Sequence, residues 1–411
     1  MANAHLTIPS TSRALPALPQ PVSLPVRRGL LLFVVGTGLL VSPEPVWAML
    51  FYLLIIPVQF RALAGAIGDG RFWREMTPAL AAAITMILWF ILGLAWDQSA
   101  AGHPGLQILW MWNGFCTLLF VWGCHEAFTR SEAWRERLIT VLILCGTLNA
   151  WIAIFRLPIV AHAWDQDSLR MPGWAETRHP ILGAIIIGVS ALLAASRLLQ
   201  GRGVRANALA LVSCLGFIVL TGSRGPILAI GGALVLFLAM ARPRLLAIAV
   251  VAALAVLCLV ELFAPSVLTD TWHALADRGT SDRLIIWRLS IKAIGTSPWV
   301  GLGPAARLDR PNEAFPHNLL LSTLFYAGAI GLVMLLTLFA LVGRIAWRRP
   351  PGVDRSMRIA LLVYPLLAGM TDLSSLIKGP APMWYMVWLP LIICMGSDRP
   401  FGAADRTASV R

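Results

Sequence analysis

Phe315-Pro316-His317-Asn318-Leu319-Leu320-Leu321-Ser322-Thr323-Leu324-Phe325-Tyr326-Ala327-Gly328 places a histidine and an asparagine where a loop rich in Arg, Asp and Pro gives way to hydrocarbon. Pro316 suits the residue before or at a helix start, where its missing N–H does no harm. The apolar run continues from Leu319 to Trp347, broken softly at Gly328 and Gly331. A run of that length is a membrane helix, or two in series. An imidazole titrates near pH ~6.5, so His317 at this boundary can take a proton from a hydroxyl at neutral pH without a metal. A capping or interfacial histidine with no chemical role fits the same residues equally well.

The surrounding chain fits that membrane setting. Of 411 residues, 58% are hydrophobic and 13% charged, with 17 tryptophans, and the mean hydropathy is +0.75. These values exclude an ordinary soluble domain and describe an all-α polytopic membrane protein. Apolar runs predict about 12 transmembrane helices, near 28–42, 45–62, 76–96, 105–127, 137–156, 180–197, 206–222, 225–241, 244–263, 328–347, 357–375 and 382–397. With both termini cytoplasmic, most of the 33 basic residues fall on cytoplasmic segments, among them Arg27, Arg28, Arg130, Arg197, Arg202, Arg242 and Arg358. That is the positive-inside pattern. The net charge of +13 is spread as short clusters at helix ends, which topology explains and nucleic-acid binding does not.

The expected organisation is a disordered cytoplasmic N-terminus over 1–26, one transmembrane domain over 27–397 and a cytoplasmic tail over 398–411. A large periplasmic loop, 264–316, carries short helices and part of the site. No cleavable signal pattern precedes the first apolar run. The six cysteines all fall in predicted spans without a C-x-x-C pair and read as apolar core, not as a metal site. The first four spans read as scaffold. His125-Glu126 lacks the second histidine of H-E-x-x-H chemistry. Asp165-Gln166-Asp167, in an outward loop, has the D-x-D spacing of a divalent-metal site, although a solvated acidic turn is the commoner meaning; no metal and no cofactor is expected.

Several cations run against the topological bias. Arg178, Arg224, Arg278, Arg283, Arg288 and Lys292 all face outward. Guanidinium binds phosphate through paired donors and stays charged, which suits a pyrophosphate held at headgroup level. Ion pairing to Asp270, Asp277, Asp282, Asp309 and Glu313 is the alternative. Thr280, Ser281 or Asp282 can cap a helix running to about Ile294, with 284, 285, 289 and 291 toward the membrane. On that helix Arg283 and Arg288 lie about 140° apart, able to grip a bulky anion from two directions. Asp372 and Lys378 share the last outward loop and can pair.

Three stretches in succession resemble the O-antigen ligase and polymerase superfamily of bacterial membrane glycosyltransferases. They are Thr221-Gly222-Ser223-Arg224-Gly225; Ser281-x-Arg283-x-x-x-Trp287-Arg288 followed by Pro298-x-x-Gly301-x-Gly303; and His317-Asn318-Leu319-x-Leu321 followed by Gly328-x-x-Gly331. The resemblance covers roughly 175–347 and implies a GT-C-like fold in the bacterial inner membrane with a periplasmic site. It further implies metal-independent, inverting transfer of a glycan from an undecaprenyl-diphosphate carrier to an acceptor hydroxyl. His317 would then be the base, Arg224, Arg283, Arg288 and Arg178 would bind the diphosphate, and Asn318, Lys292 and Arg278 would support them. Asn318 would orient the imidazole or the sugar. Moderate size favours a ligase acting on lipid A–core. An O-antigen polymerase or a protein O-oligosaccharyltransferase of the same superfamily remains open on analogy alone. A flippase for lipid-linked oligosaccharides would instead carry midplane charges on broken, repeated helices.

Overall fold

The computed structural model describes residues 22–42, 44–160, 171–263, 283–309, 315–370 and 372–396, so Arg278, Asp165 and Asp167 lie outside the described residues. Every apolar run read from the sequence is helical, and no strand occurs among the described residues. In chain order, α1 is Leu24–Gly38, and α2 passes from Glu44–Leu50 through a π-helical turn at Phe51–Ile55 into Ile56–Gly68. Then come α3 (Pro78–Leu92), α4 (Pro104–Phe128), α5 (Glu132–Val160), α6 (Pro180–Leu199), α7 (Val204–Leu220), α8 (Arg224–Ala241) and α9 (Pro243–Phe263). The remainder are α10 (Arg283–Ile294), α11 (Leu319–Trp347), α12 (Val353–Gly369) and α13, a π turn at Trp384–Trp388 leading into Leu389–Met395. Seven of these stretches are long and apolar enough to cross a membrane. In a bilayer the helix is the element that satisfies its own backbone, so the chain is a polytopic helical membrane protein.

Local sequence sets the helix starts. Pro78, Pro104 and Pro180 occupy first-turn positions where no N–H is needed. Thr77 caps α3 by accepting from the Leu80 N–H at 3.2 Å. At the centre of the bundle α6 is almost wholly buried, packed by α5, α7, α8 and α12. Close approach there depends on Gly188. A Cβ at that position would lie 2.0 Å from the Tyr364 hydroxyl of α12, which donates to the Ile185 carbonyl at 2.9 Å. Five of the six cysteines are buried among apolar side chains; Cys258 is exposed.

The soft break expected at Gly328 is a true interruption. Gly328 has φ 66° and ψ −169° inside α11, a conformation that suits glycine. The backbone groups freed by the break pair with the loop after α10. Leu302 and Gly303 N–H donate to the Phe325 and Tyr326 carbonyls (2.8 and 3.0 Å), and Ala329 and Ile330 N–H donate to the Pro298 and Trp299 carbonyls (2.8 and 3.2 Å). The Trp89 indole donates to the Ala327 carbonyl at 2.9 Å. A Cβ on Gly328 would sit 2.3 Å from Trp299 backbone atoms, and one on Gly301 would sit 2.5 Å from Gly328 N. Pro298-x-x-Gly301-x-Gly303 and Gly328 are therefore two halves of one joint, in which irregular backbone is satisfied by protein.

Asp97 fastens the same loop from a second side. Its carboxylate is buried and accepts the Ser99 and Ala100 N–H groups on Oδ1 (2.9 and 3.2 Å) and the Ala305 N–H on Oδ2 (2.6 Å). Burial pushes the Asp97 carboxyl up from the ordinary carboxylate range, while these N–H donors oppose the shift. The first four spans thus do more than frame the bundle, because their α3–α4 turn holds the loop that braces α11.

Helix direction sorts the ends. α11 runs away from His317 and α12 returns, so Gly369 packs on Leu319 and the chain re-enters the His317 end at Asp372. At the opposite end Arg27 and Glu126 form a double hydrogen bond (2.7 and 3.2 Å), Arg130 pairs with Glu75 (2.7 Å), and Glu136 holds both Arg197 (2.9 Å) and Arg202 (2.7 Å). Arg135 pairs with Glu132, and Arg358 with Asp354 at 3.2 Å. Glu126, beside His125, is therefore an arginine's partner.

Candidate active site

His317 sits on the turn that delivers the chain into α11. Its φ is 51°, and among the described residues only Ala175 is another non-glycine residue with positive φ. Histidine tolerates this left-handed region better than most residues, and such strain collects at functional positions. Pro316 is buried behind it, and the Phe315 ring lies 4.2 Å from the imidazole between centroids.

The imidazole has a partner that the sequence did not assign to it. His317 Nδ1 lies 2.7 Å from Asp372 Oδ1; the imidazole side chain is 21% exposed and the carboxylate 7%. An ionised carboxylate only accepts, so Nδ1 carries the shared proton and Nε2 carries the basic lone pair. The carboxylate also stabilises the imidazolium that forms when Nε2 takes a proton. Asp372, expected opposite Lys378, is thus committed to His317. Chain separation hid the pair, since 55 residues lie between its members.

The side chain of Asn318 is engaged by the backbone of α11 and α12. Its Oδ1 accepts the Leu320 and Leu321 N–H groups (3.0 and 3.1 Å), and its Nδ2 donates to the Met370 carbonyl at 3.2 Å. The side chain caps α11 and ties it to the end of α12, which fixes His317 and Asp372 relative to one another. Ser322 adds a second tie, donating to the Leu373 carbonyl at 2.9 Å.

α10 packs beside α11 and divides its cations between two faces. Arg283 shares the inner face with buried Ile286 and Ser290, whereas Arg288 and Lys292 are exposed on the same side as Leu284 and Ile291. The ~140° separation therefore points one guanidinium into the protein and the other out among exposed apolar side chains. Among the described residues, Arg283 Nη1 and Trp287 Nε1, one turn apart, are both buried donors with no hydrogen-bond partner. Buried donors are satisfied in nearly all folded structures. Two adjacent orphans on the inner face of α10 make a ready receptor for acceptor oxygens. The helix begins at Arg283, and its expected cap, Thr280 to Asp282, lies outside the described residues.

The other two expected arginines lie at the same end. Arg224 is the first residue of α8, following the turn where Gly222 has φ 60° and Ser223 is buried. Arg178 is exposed just before His179, the residue that caps α6. The loop carrying it is held by Asn149, which donates to the Leu39 and Trp174 carbonyls (2.5 and 2.8 Å), and by Thr177, which donates to Asn149 Oδ1 at 2.7 Å. Among the described residues, none of Arg178, Arg224, Arg283, Arg288 and Lys292 has a carboxylate in ion-pair contact. The structure brings His317 to Asp372, and Arg283 to Trp287, and leaves the other cations along the rim of the same end.

Residues 209–336 match the family described as O-Antigen ligase. That region spans the Arg224 turn, all of α10, the glycine joint and His317. The chain is also 28% identical over 387 residues to an O-antigen ligase of Pseudomonas aeruginosa, a similarity covering 86% of this chain and 93% of the relative. The resemblance that the three motifs carried is thereby shown: residues 209–336 of this membrane protein match the O-antigen ligase family, and the chain is similar to an O-antigen ligase over most of its length.

Proposed function

We propose that the protein transfers a glycan from an undecaprenyl-diphosphate carrier to a sugar hydroxyl of lipid A–core, at the periplasmic face of the inner membrane. The observation that carries the reading is the His317–Asp372 bond at the end of the bundle where Arg283 and Trp287 present buried donors that have no partner among the described residues.

His317 Nε2 takes the acceptor hydroxyl's proton while Asp372 holds the opposite ring nitrogen and stabilises the imidazolium. The acceptor oxygen attacks the anomeric carbon as that carbon's bond to the diphosphate oxygen breaks, which inverts the centre in a single displacement. Charge then grows on the departing diphosphate. Arg283 and the Trp287 N–H meet it from the inner face of α10, with Arg224 and Arg178 completing the positive rim. Fixed donors in a water-poor site act more strongly than the same groups in bulk water. Arg288 and Lys292, on the outer face, lie where a phospholipid headgroup or the carrier's approach would engage them.

The ligase reading is preferred to the polymerase and protein-transferase readings because the relative similar over most of the chain is an O-antigen ligase. The flippase reading expects ionisable groups at the midplane, whereas the broken helix here is braced by a loop and lined by tryptophans. Purified protein supplied with lipid-linked glycan and either lipid A–core or glycan alone tests the assignment. Transfer to lipid A–core with release of undecaprenyl diphosphate is expected. Chain extension with glycan alone would make the protein a polymerase, and movement of the lipid without transfer would make it a flippase.

A further inference from the structure

Beside the glycine joint lies a polar cavity of about 520 Å³, walled by Trp96, Gln98 and Ser99 from the α3–α4 turn and by Ser297, Val300 and Arg307 from the loop after α10. Its floor is rigid. Asp97 clamps the two walls together, the Trp96 indole donates to the Gly301 carbonyl at 3.1 Å, and the Ser297 hydroxyl donates to the same carbonyl at 2.8 Å. Its rim is polar and open to solvent. Among the described residues the side chains of Gln98, Ser99 and Arg307 have no protein partner, and all three are exposed. No step at His317 uses any of these residues.

We infer that this cavity is a saccharide subsite selective for a sugar that bears a carboxylate or a phosphate. An indole against amide and hydroxyl groups suits a pyranose, which has one apolar face and a ring of hydroxyls. The size falls within the roughly 300–1,000 Å³ usual for small-molecule sites. Arg307 supplies the selectivity, because an unpaired guanidinium favours a planar or tetrahedral oxyanion over a neutral hydroxyl. The subsite opens at the His317 end, since α3 finishes there and the loop braces α11 within a few turns of His317. It would hold a glycan away from the bond being made and fix its position for the hydroxyl that reacts. This inference rests on the glycan-transfer reading for its purpose, though not for its chemistry.

The test measures binding of digalacturonate, glucose 6-phosphate and maltose to the purified full-length protein by saturation-transfer NMR. The wild type and His317→Ala are expected to bind at least one anionic probe and to bind maltose more weakly; the preferred anion identifies carboxylate or phosphate. Arg307→Gln should weaken that anion about tenfold, the loss of one charge-assisted contact. Ser99→Trp, which fills the cavity, should remove binding. In transfer assays Arg307→Gln should raise KM for the saccharide while leaving kcat unchanged. Equal binding of the anions by wild type, Arg307→Gln and Ser99→Trp would overturn the subsite. Probe binding that depends on Arg307 in a protein incapable of glycan transfer would sink the transfer reading and leave the subsite standing. Normal transfer with unchanged KM in both variants would do the reverse.

Discussion

The two ends of the bundle treat arginine in opposite ways. Away from His317, guanidiniums meet carboxylates at short range: Arg27 with Glu126, Arg130 with Glu75, Arg197 and Arg202 with Glu136, Arg358 with Asp354. At the His317 end two described carboxylates are engaged elsewhere. Asp372 takes the imidazole and Asp97 takes three backbone N–H groups. Among the described residues, Arg178, Arg224 and Arg283 have no carboxylate in ion-pair contact. Charge near hydrocarbon is costly unless compensated, and at the far end carboxylates supply much of that compensation, although Arg28 Nε, Arg197 Nε and Arg355 Nε are buried there without a hydrogen-bond partner among the described residues. The contrast also explains why net charge alone says little here.

The largest effect that can break this contrast is His317→Ala. Removing a general base should lower transfer by about 10²–10⁴-fold, while the variant inserts and melts as the wild type does. Full surface O-antigen display by cells carrying it would remove the base assignment. Asp372→Asn comes next: the amide presents a donor or a weaker acceptor to Nδ1, disturbs the tautomer and withdraws support from the imidazolium. We expect roughly a hundredfold fall in kcat with little change in KM, and an unchanged kcat would reduce the bond to a structural tie.

Glu136→Gln sharpens the comparison from the other side. It leaves Arg197 and Arg202 without their carboxylate, and breaking such partly buried pairs costs up to about 3–5 kcal/mol of stability. Thermal unfolding in detergent should therefore shift downward while the transfer rate of the surviving folded protein stays as before. A rate loss with unchanged melting would tie the far end to chemistry. The smallest expected effect is none at all. Transfer should proceed in EDTA, since imidazole and guanidinium cover the base and charge-stabilising roles. Loss in EDTA restored by a divalent ion would direct attention back to Asp165 and Asp167.

Much of the fold was legible because bilayer spans announce themselves by length. Each of the twelve apolar runs overlaps a helix among the described residues, and the break at Gly328 was visible as a glycine within a long apolar run. His317 was legible for the same reason, standing at a polar–apolar boundary. What stayed hidden were partners set by folding. Asp372 lies 55 residues from His317 in a short loop, with nothing local to mark it. Asp97 reads as one more loop carboxylate until the Ala305 N–H is found on it. Asn318 looks like a substrate contact because capping and catalysis draw on the same side chains. Along α10 the 140° between Arg283 and Arg288 follows from helical spacing. Which of the two faces inward does not, because apolar residues flank both. Trp287, an unremarked aromatic in the motif, gains meaning only once its indole N–H is seen buried and unpaired.

The central claim is that the cations at the His317 end form a diphosphate receptor and those at the far end do not. Affinity of the purified protein for farnesyl diphosphate, a short relative of the proposed carrier, addresses it directly. Arg283→Gln should weaken binding by about tenfold or more, and Trp287→Phe by a smaller factor, while Arg202→Gln at the far end leaves it unchanged. Equal affinity in all three variants, or a loss confined to Arg202→Gln, would contradict the account.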